Sequence, residues 1–462
     1  MKNIVVIGSG IAGSILCNEL SKFAKVTLLE RGEKDVISYP KLNFQKKRLA
    51  PFNTFCFSGG GGTNLWHNGL IPIGIKDVVS TSFSKLLIDS EPYTNKAAEM
   101  LNFNGDYSSD YRNVVNEMNE LADSIGDLGD GIDCLIYPKN YAKLSVNSDV
   151  NEHYCVEKIS FDSDQDGITK VNFKKQDEEL SVQTDIVIIA AGTFGSPEMV
   201  KKVLTSIGHD STGVGKGLID HPAGFVGKVK FSKDVAASIN DFASLDKGHF
   251  ESCSGIRVKS DCGKYTCFAF LRPAFTMGNH LSIYQYKSLL GGSSGIERIK
   301  NAISPKLLHP DILVEVISHV FGVRIPSNTF NILVYFQQHQ GANYVDYNTQ
   351  GHDITWDVND SELDIYNSLL NKLNGILAKV AEKTNIQHPI TKDWLRSGAH
   401  HSGTINLGGG KASDIDTDLK LNGCSNVYVC DGSVIQEHSY ANTGLTIGKL
   451  ALRLCEKIKH LS

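Results

Sequence analysis

The chain has 462 residues, of which 41% are hydrophobic and 21% are charged, and its formal net charge is −5. These values are typical of a soluble globular protein of two or three domains, and they give no reason to expect nucleic acid or an anionic membrane as a partner. No apolar run approaches the roughly 18 residues of a membrane span. The ten cysteines are scattered without C-x-x-C pairs, so we expect reduced thiols in a cytoplasmic protein and no metal site.

The chain opens on one strand–turn–helix–strand pattern that ends at an acidic residue. Because this pattern begins close to Met1, no targeting segment is expected. In this context the G-x-G-x-x-G spacing predicts binding of an adenine dinucleotide, either NAD or FAD. Gly8 would allow the tight turn, Gly10 would let a pyrophosphate approach the backbone, and Gly13 would let the helix pack on the strand. Glu30 would accept hydrogen bonds from the adenosine ribose.

The next two segments differ in character. Residues 41–48 are polar and basic, which indicates solvated surface, with contact to an anionic substrate as the alternative. The stretch SGGGGTNLWHNG follows, and its four consecutive glycines predict a loop whose backbone lies against a flat or charged ligand. The bulky Leu65-Trp66-His67 cluster argues against a free linker. Residues 77–130 are predicted to form a helical excursion.

Strands return over residues 153–162, 170–175 and 185–189. The last of them is apolar on both faces, as expected of a buried parallel strand, and it ends in the turn AAGTFGSP, which contains Gly192. Ser196 is the predicted N-cap of the following helix, with Pro197 at the first helical position and Gly208 at the end.

From residue 223 the periodicity changes to alternating segments, and helices are predicted near 296–321 and 360–383. The segments expected to form antiparallel strands are GKVKF, KYTCFAF, HLSIYQY, FNILVYF and HDITWDV. The chain then returns to the cofactor domain, with the segments HHSGT and VYVCDGS and a final helix from about Thr443. The predicted fold class is therefore α/β with an α+β substrate part. Its cofactor domain is discontinuous (1–76, 131–222 and 396–462), and residues 223–395 form the substrate domain.

The motifs taken together resemble the glucose–methanol–choline (GMC) oxidoreductases, flavoproteins that oxidise alcohols with FAD. The matching pieces occur in the order of that family over nearly the whole chain: VVIGSGIAG, GGGGTNLWHNG, IIAAGTFGSPEMV, VGKGLIDHP, NYVDYNTQGHDITWD, HHSGT, VYVCDGS and NTGLTIGKLA. The fragment AAGTFGSPE and the Asp220-His221-Pro222 triplet are more specific than the opening glycines. The resemblance implies a Rossmann-type FAD-binding domain with an inserted antiparallel-sheet substrate domain.

The resemblance also implies which residues contact FAD. Some family members link the flavin covalently through a histidine near His67, but noncovalent FAD is favoured here, with His67 as a packing or substrate contact. The implied contacts are Gly8, Gly10 and Gly13 at the pyrophosphate, Glu30 at the ribose, Gly62, Thr63 and Asn68 along the flavin, Val156 at the adenine, Gly192 in the turn, Asp431 and Gly432 at the pyrophosphate or ribityl chain, and Thr443 at the helix end that faces the flavin.

The H-x-x-G-[TG] pattern of the family selects His400 as the catalytic base, and His401 is the alternative if the register differs by one residue. Histidine suits this role because its ordinary pKa lies near neutrality. Asn442 takes the second catalytic position, where it would orient the substrate oxygen, because an amide cannot act as a base.

The predicted reaction is oxidation of a CH–OH group in a small polar alcohol of the sugar, polyol or aminocyclitol type. Trp66 could stack on a sugar ring, and strands around residues 335–340 could supply hydrogen bonds. Oxygen, a quinone and a carrier protein stay open as electron acceptors. Two alternatives are a non-redox lyase on the same flavoprotein fold and an NAD-dependent dehydrogenase.

Overall fold

Two sheets organise the chain, a parallel sheet of five strands and an antiparallel sheet of eight. The structure, a computed structural model, describes residues 1–139, 143–164, 167–292, 300, 304–321, 325–348, 351–408 and 414–461. The strands in this part of the chain are β1 (Asn3–Ile7), β2 (Lys25–Leu29), β3 (Leu42–Phe44), β4 (Ile132–Pro138), β5 (Asn151–His153), β6 (Val156–Ser163), β7 (Ile168–Lys175), β8 (Glu178–Gln183), β9 (Ile186–Ile189), β10 (Pro222–Lys230), β11 (Leu245–Asp246), β12 (Phe250–Lys259), β13 (Thr266–Ala274), β14 (Thr329–Phe336), β15 (Tyr344–Asn348), β16 (Gly351–Thr355), β17 (Lys383–Ile386), β18 (Arg396–Ser397) and β19 (Val427–Val429). The helices are α1 (Ile11–Leu20), α2 (Thr81–Ser90), α3 (Thr94–Met100), α4 (Tyr107–Ile125), α5 (Gly192–Ser206), α6 (Lys233–Ala243), α7 (Leu281–Gly292), α8 (Pro310–Phe321), α9 (Asp360–Val380) and α10 (Gly444–Leu461).

The parallel sheet has the order β19-β9-β1-β2-β5, and all of its neighbouring strands run parallel. Its central strands are apolar on both faces, and Val5 and Val187 are fully buried. The helices α1 and α10 pack against each other. The carboxyl ends of these strands meet at one edge, which is where dinucleotides bind in open α/β sheets.

The antiparallel sheet contains β11-β12-β13-β14-β10-β17, with β4 paired to β12 and β18 paired to β10. The predicted combination of a Rossmann-type parallel sheet with an antiparallel sheet is confirmed. Strand β4 falls within the range 131–222 that was assigned to the cofactor domain, yet it pairs with the antiparallel sheet. The division into domains stays a prediction.

The helix after β9 begins earlier than predicted, because α5 starts at Gly192 rather than at Pro197. Proline inside a helix leaves the carbonyl four residues before it without a partner. Here that carbonyl, Thr193 O, accepts a hydrogen bond of 2.8 Å from Thr404 Oγ1. Ser196 is therefore not the N-cap; its hydroxyl donates instead to Asp431 at 2.5 Å. Gly208 follows the helix end as predicted, with φ of 72°.

The segment HLSIYQY, residues 280–286, was predicted as a strand, and this is wrong because it opens α7. The backbone N–H of Tyr284 donates to His280 O at 3.1 Å, and the Tyr284 ring stacks on Phe225. An alternating pattern this short also satisfies the spacing of one helix face. The helix predicted near 296–321 is described from Pro310, and residues 293–299 and 301–303 lie outside the described residues.

Helices elsewhere follow their sequence signals. The predicted helix near 360–383 is α9, which begins at a capping box in which Asn359 accepts from the Glu362 N–H and the Glu362 carboxylate accepts from the Asn359 N–H. The excursion over residues 77–130 contains α2, α3 and α4. Among the described helices, none is both long and apolar enough to cross a bilayer.

Candidate active site

A cavity of about 730 Å³ opens at the carboxyl ends of the parallel strands. Segments from the start, middle and end of the chain form its wall. The predicted site residues that line it are Gly8, Gly10, Glu30, Gly62, Val156, Gly192, His401, Asp431 and Gly432.

In the glycine turn, Gly8 and Gly13 pack closely against the backbone, whereas Gly10 faces open space. A side-chain carbon at Gly13 would lie 1.8 Å from Gly8 O, and one at Gly8 would lie 2.4 Å from Ala190 O, so both glycines permit close backbone packing. At Gly10 such a carbon would meet nothing within 4 Å, and the same holds for Gly62. Gly10 and Gly62 therefore leave room for a ligand to approach the backbone, whereas Gly13 serves the helix–strand contact.

Glu30 is buried at the end of β2 and belongs to the cavity wall. Its carboxylate accepts hydrogen bonds from Ser9 N at 2.8 Å, Ser9 Oγ at 2.7 Å and Gly32 N at 2.7 Å. Burial raises the pKa of Glu30, and these donors oppose that shift. The carboxylate is thus held in place beside the position at which a ribose would enter.

Asp431 connects two segments of the wall. Its carboxylate accepts from Gly192 N at 2.8 Å, Ser196 Oγ at 2.5 Å and Ser433 N at 2.8 Å. Burial raises the pKa of Asp431, and the hydrogen bonds from Ser196 and Ser433 lower it. The side chain joins α5 to the segment after β19, so only the backbone of Asp431 is left for a ligand.

Other predicted site residues lie outside the wall of the cavity. They are Thr63, Asn68 and Thr443 of the expected cofactor contacts, and the catalytic candidates His400 and Asn442. A side-chain carbon at Gly444 would lie 2.4 Å from Cζ3 of Trp66, so the indole packs on the N-terminus of α10. Asn68, with φ of 54°, is buried and donates to Leu101 O.

His67, the candidate for covalent attachment, is an exposed residue outside the cavity wall. A covalent bond to a cofactor in the cavity would require this side chain to face inward.

Asp220 organises the histidines of the HHSGT segment. Its carboxylate accepts from the backbone N–H groups of His221 at 2.7 Å and His400 at 2.8 Å, and it also binds Ser397 Oγ. Nδ1 of His401 lies 3.1 Å from Asp220 Oδ2. One fully buried carboxylate thus fixes both candidates for the base.

His401 faces the cavity, but both of its ring nitrogens face protein groups. Nε2 lies 2.9 Å from Thr54 Oγ1, and Nδ1 faces Asp220. Burial lowers the pKa of His401 more than Asp220 raises it. The ring is therefore a neutral part of the wall, and both of its nitrogens lie beside protein groups.

One ring nitrogen of His400 is engaged by the protein: its Nδ1 lies 2.9 Å from Nδ1 of His221. For Nε2 of His400 to accept a proton, Nδ1 must carry the hydrogen and donate it to His221. Burial lowers the pKa of His400 to about 4; Asp220 raises it and His401 lowers it further. The ring is thus neutral at physiological pH, as a base requires.

A fourth histidine completes the cluster. The ring of His438 lies 4.0 Å from that of His221, and burial lowers the pKa of His438 to about 3. The Asp220-His221-Pro222 triplet was noted in the sequence only as a family motif, and His438 carried no signal. Both become neighbours of His400 only through the fold. In the described part of the chain no three His, Cys, Asp or Glu side chains are placed to hold a metal ion.

Asn442, the predicted partner of His400, precedes α10 and donates from Nδ2 to Gly69 O at 3.3 Å. Among the described hydrogen bonds and ring contacts, none joins it to His400. Asn442 therefore faces the segment after the glycine loop, and its catalytic role stays a prediction.

Comparisons with known proteins concern the fold and the family. Residues 346–451 match a family model described as GMC oxidoreductase. Pyridoxine 4-oxidase from Mesorbium loti aligns with 100% of this chain and 99% of its own at a TM-score of 0.65 and 12% identity. A formate oxidase from Aspergillus oryzae RIB40, in a variant that affects FAD modification, aligns with 100% of this chain and 98% of its own, at a TM-score of 0.59 and 14% identity. No curated protein sequence matches the chain. The family match and the shared fold confirm the resemblance to the GMC oxidoreductases that the motifs predicted.

Proposed function

We propose that this protein is an FAD-dependent oxidoreductase that converts the CH–OH group of a polar alcohol to an aldehyde or ketone. The observation that carries the proposal is the continuity of the cavity wall, which runs from Glu30 and the glycine turn to the HHSGT segment. His401 of the histidine cluster lines the same cavity as the dinucleotide end, and His400 is its neighbour in the chain. The two solved structures compared above are both oxidases.

The residues present suit a noncovalently held dinucleotide. Gly10 and Gly62 leave space at the turn, Glu30 would bind the ribose, and Val156 would pack beside the adenine. The N-terminus of α1 would attract the phosphates. FAD, when bound, would accept the hydride that leaves the carbinol carbon. The exposure of His67 supports noncovalent binding.

His400 is proposed as the base that takes the hydroxyl proton at Nε2. Its Nδ1 is engaged with His221, and its neutral state follows from burial. His401 is the second candidate because it lines the cavity, but its contacts with Thr54 and Asp220 favour a role in the wall. Asn442 would hold the substrate oxygen by a hydrogen bond. The cytoplasmic location rests on the scattered thiols of the sequence and stays a prediction.

The test is anaerobic mixing of the purified holoenzyme with sugars, polyols and aminocyclitols while the flavin absorbance is followed. An alcohol that bleaches the flavin would establish the oxidoreductase, and bleaching by none of them would favour a lyase that holds FAD as a structural group. His400→Asn should slow bleaching by about 10²–10⁴-fold. His460→Asn, at a 76% exposed position on α10, is the matched control. Equal rates for wild type and His400→Asn would exclude His400 as the base.

A further inference from the structure

One face of the antiparallel sheet borders His400. On β10, Ala223 pairs with Arg396 of β18 on one side and with Tyr335 of β14 on the other. Directly opposite residues share a face of the sheet, about 4.5–5.5 Å apart. Arg396 and Tyr335 therefore stand on either side of a small alanine. The Tyr335 ring lies 6.4 Å from the ring of His400, so the face with the arginine reaches the candidate base.

A second arginine lies on the same face. Phe268 of β13 is directly opposite Tyr335, and Phe270 and Arg272 follow it at the two-residue period of a strand. The Phe270 ring lies 5.8 Å from that of Tyr335, and the Arg272 guanidinium carbon lies 5.8 Å from the Phe270 centroid. The row from Arg272 through Phe270 and Tyr335 thus leads to His400.

Neither arginine has a carboxylate partner within the part of the chain that the structure describes. Arg257 and Arg453, by contrast, form ion pairs with Asp77 and Asp89. Nε of Arg396 is buried without a hydrogen-bond partner among the described residues, and its guanidinium lies over the Phe52 ring. Burial lowers the pKa of Arg396, and Tyr335, Asp220 and Glu315 oppose that shift without an ion pair to its guanidinium among the described residues. Contact with an aromatic ring offsets only part of the cost of desolvating a cation.

The remaining charges of this face do not balance the arginines. Lys228 and Lys287 are buried, and their ion-pair partners are Asp311 and Glu315 respectively. Asn331, directly opposite both Lys228 and Arg272, is fully buried with neither amide atom hydrogen-bonded among the described residues. Both lysines thus have a paired carboxylate, whereas the two arginines have no direct ion pair among the described residues and lie beside an unused amide. This arrangement calls for an anion.

We propose that the alcohol substrate carries a carboxylate or phosphate group, which Arg272 and Arg396 bind while the carbinol lies at His400. The proposal rests on the proposed alcohol oxidation and specifies its substrate class. Arginine suits this role because its planar fork donates two parallel hydrogen bonds to carboxylate or phosphate oxygens. Phe270 and Tyr335 would form the wall between the anion and the reacting carbon.

The test is calorimetric titration of the holoenzyme with oxalate and with inorganic phosphate, neither of which is an alcohol. At least one anion should bind, and Arg272→Gln and Arg396→Gln should each weaken binding about tenfold or more. Arg396→Lys should give an intermediate loss, because it keeps the charge and loses the fork. Arg112→Gln, at an exposed position on α4, should bind as wild type does. Preference for oxalate or phosphate identifies the anionic group.

Binding of neither anion, or equal binding by the wild type and both glutamine variants, would overturn the proposal. Thermal unfolding of each variant shows whether it is folded. Because the titration does not involve turnover, failure of the anion site is distinguishable from failure of the oxidation itself. A matched kinetic pair, glycerate against glycerol, adds a second readout: the anionic member should have the higher kcat/KM, and Arg396→Gln should raise its KM with kcat retained.

Discussion

At the scale of single residues, the protonation of His400 depends on His221. The distance of 2.9 Å between the two Nδ1 atoms requires one shared hydrogen, and Nε2 of His400 is a base only when His221 is the acceptor. The hydrogen on His221 then resides on Nε2. Burial lowers the pKa of His221, and the backbone of Ser439 opposes that shift.

Replacement of His221 tests this assignment. His221→Leu removes the acceptor and should lower kcat by about 10²-fold or more because His400 loses its tautomer preference. His221→Asn offers Oδ1 near the position of Nδ1 and should retain most of the rate. The measurement is the pH profile of kcat for both variants. A leucine variant with the wild-type rate and profile would show that His221 does not position the base.

The histidine cluster also predicts how stability depends on pH. His400 and His438 have pKa values of about 4 and 3 in the fold, against about 6.5 in the unfolded chain, so below pH 6.5 the unfolded state binds more protons. Their contribution to stability is complete above pH 6.5 and is lost as the pH falls, by about 2 kcal/mol per histidine between pH 6.5 and 5.

His438→Phe should therefore make the free energy of unfolding less dependent on pH in this window, as measured by urea denaturation at several pH values. His460→Phe, at the exposed end of α10, is the control and should leave the dependence unchanged. The same slope in the wild type and in His438→Phe would mean that His438 does not titrate with a lowered pKa.

Only part of the residue-scale site could be predicted from the sequence. The glycine turn and Glu30 are recognisable because a βαβ unit fixes their spacing along the chain. His221 and His438 come from distant segments that meet only when β10 and the segment before α10 are in place, so their spacing carries no signal. Asp220 was noted within a motif, but its role as the shared acceptor follows from three-dimensional contacts.

At the scale of elements, Gly10 and Gly13 separate ligand binding from packing. Gly10→Ala should leave the melting temperature of the cofactor-free protein nearly unchanged, since its new methyl group meets nothing within 4 Å, while FAD affinity falls. Gly13→Ala should lower the melting temperature itself, because its methyl group would lie 1.8 Å from Gly8 O. Thermal unfolding with and without FAD measures both. Unchanged FAD affinity in Gly10→Ala would contradict the assigned role of the turn.

The start of α5 makes a second prediction at this scale. Thr404→Val removes the hydroxyl that satisfies Thr193 O beside Pro197, and it should lower the free energy of unfolding by about 1–3 kcal/mol. In the Pro197→Ala background a backbone N–H becomes available to the same carbonyl, so the loss should be smaller. A double-mutant cycle in urea measures this coupling. Additive losses would show that the two residues do not share the carbonyl.

Helices and strands could be predicted where their sequence pattern was long or where a capping motif marked the end of a helix. The helix α9 has both a long amphipathic run and a capping box, and β9 has a continuous apolar run before its turn. The start of α5 could not be predicted, because the hydroxyl of Thr404 comes from a distant segment of the chain. Residues 280–286 gave a short alternating pattern that suits a strand or a helix face, and packing of Tyr284 on Phe225 selects the helix.

At the scale of the whole molecule, the site depends on two returns of the chain to the edge where it begins. Strands β1, β9 and β19 lie side by side in the parallel sheet, although they are separated by the excursion and by the antiparallel sheet. Strand β18 pairs with β10 and carries the chain from the antiparallel sheet into the HHSGT segment. In this segment His401 lines the cavity, and His400 lies near Tyr335 on the face that bears the two arginines.

The most direct test of the proposed flavoprotein is the visible absorption spectrum of the purified chain before and after acid precipitation. We expect a yellow protein that releases its flavin to the supernatant, because the cavity is lined for a dinucleotide and His67 lies outside it. Colour retained in the pellet would contradict noncovalent binding and indicate attachment through a side chain such as His67. A colourless protein that stays colourless after FAD is added would contradict the account as a whole.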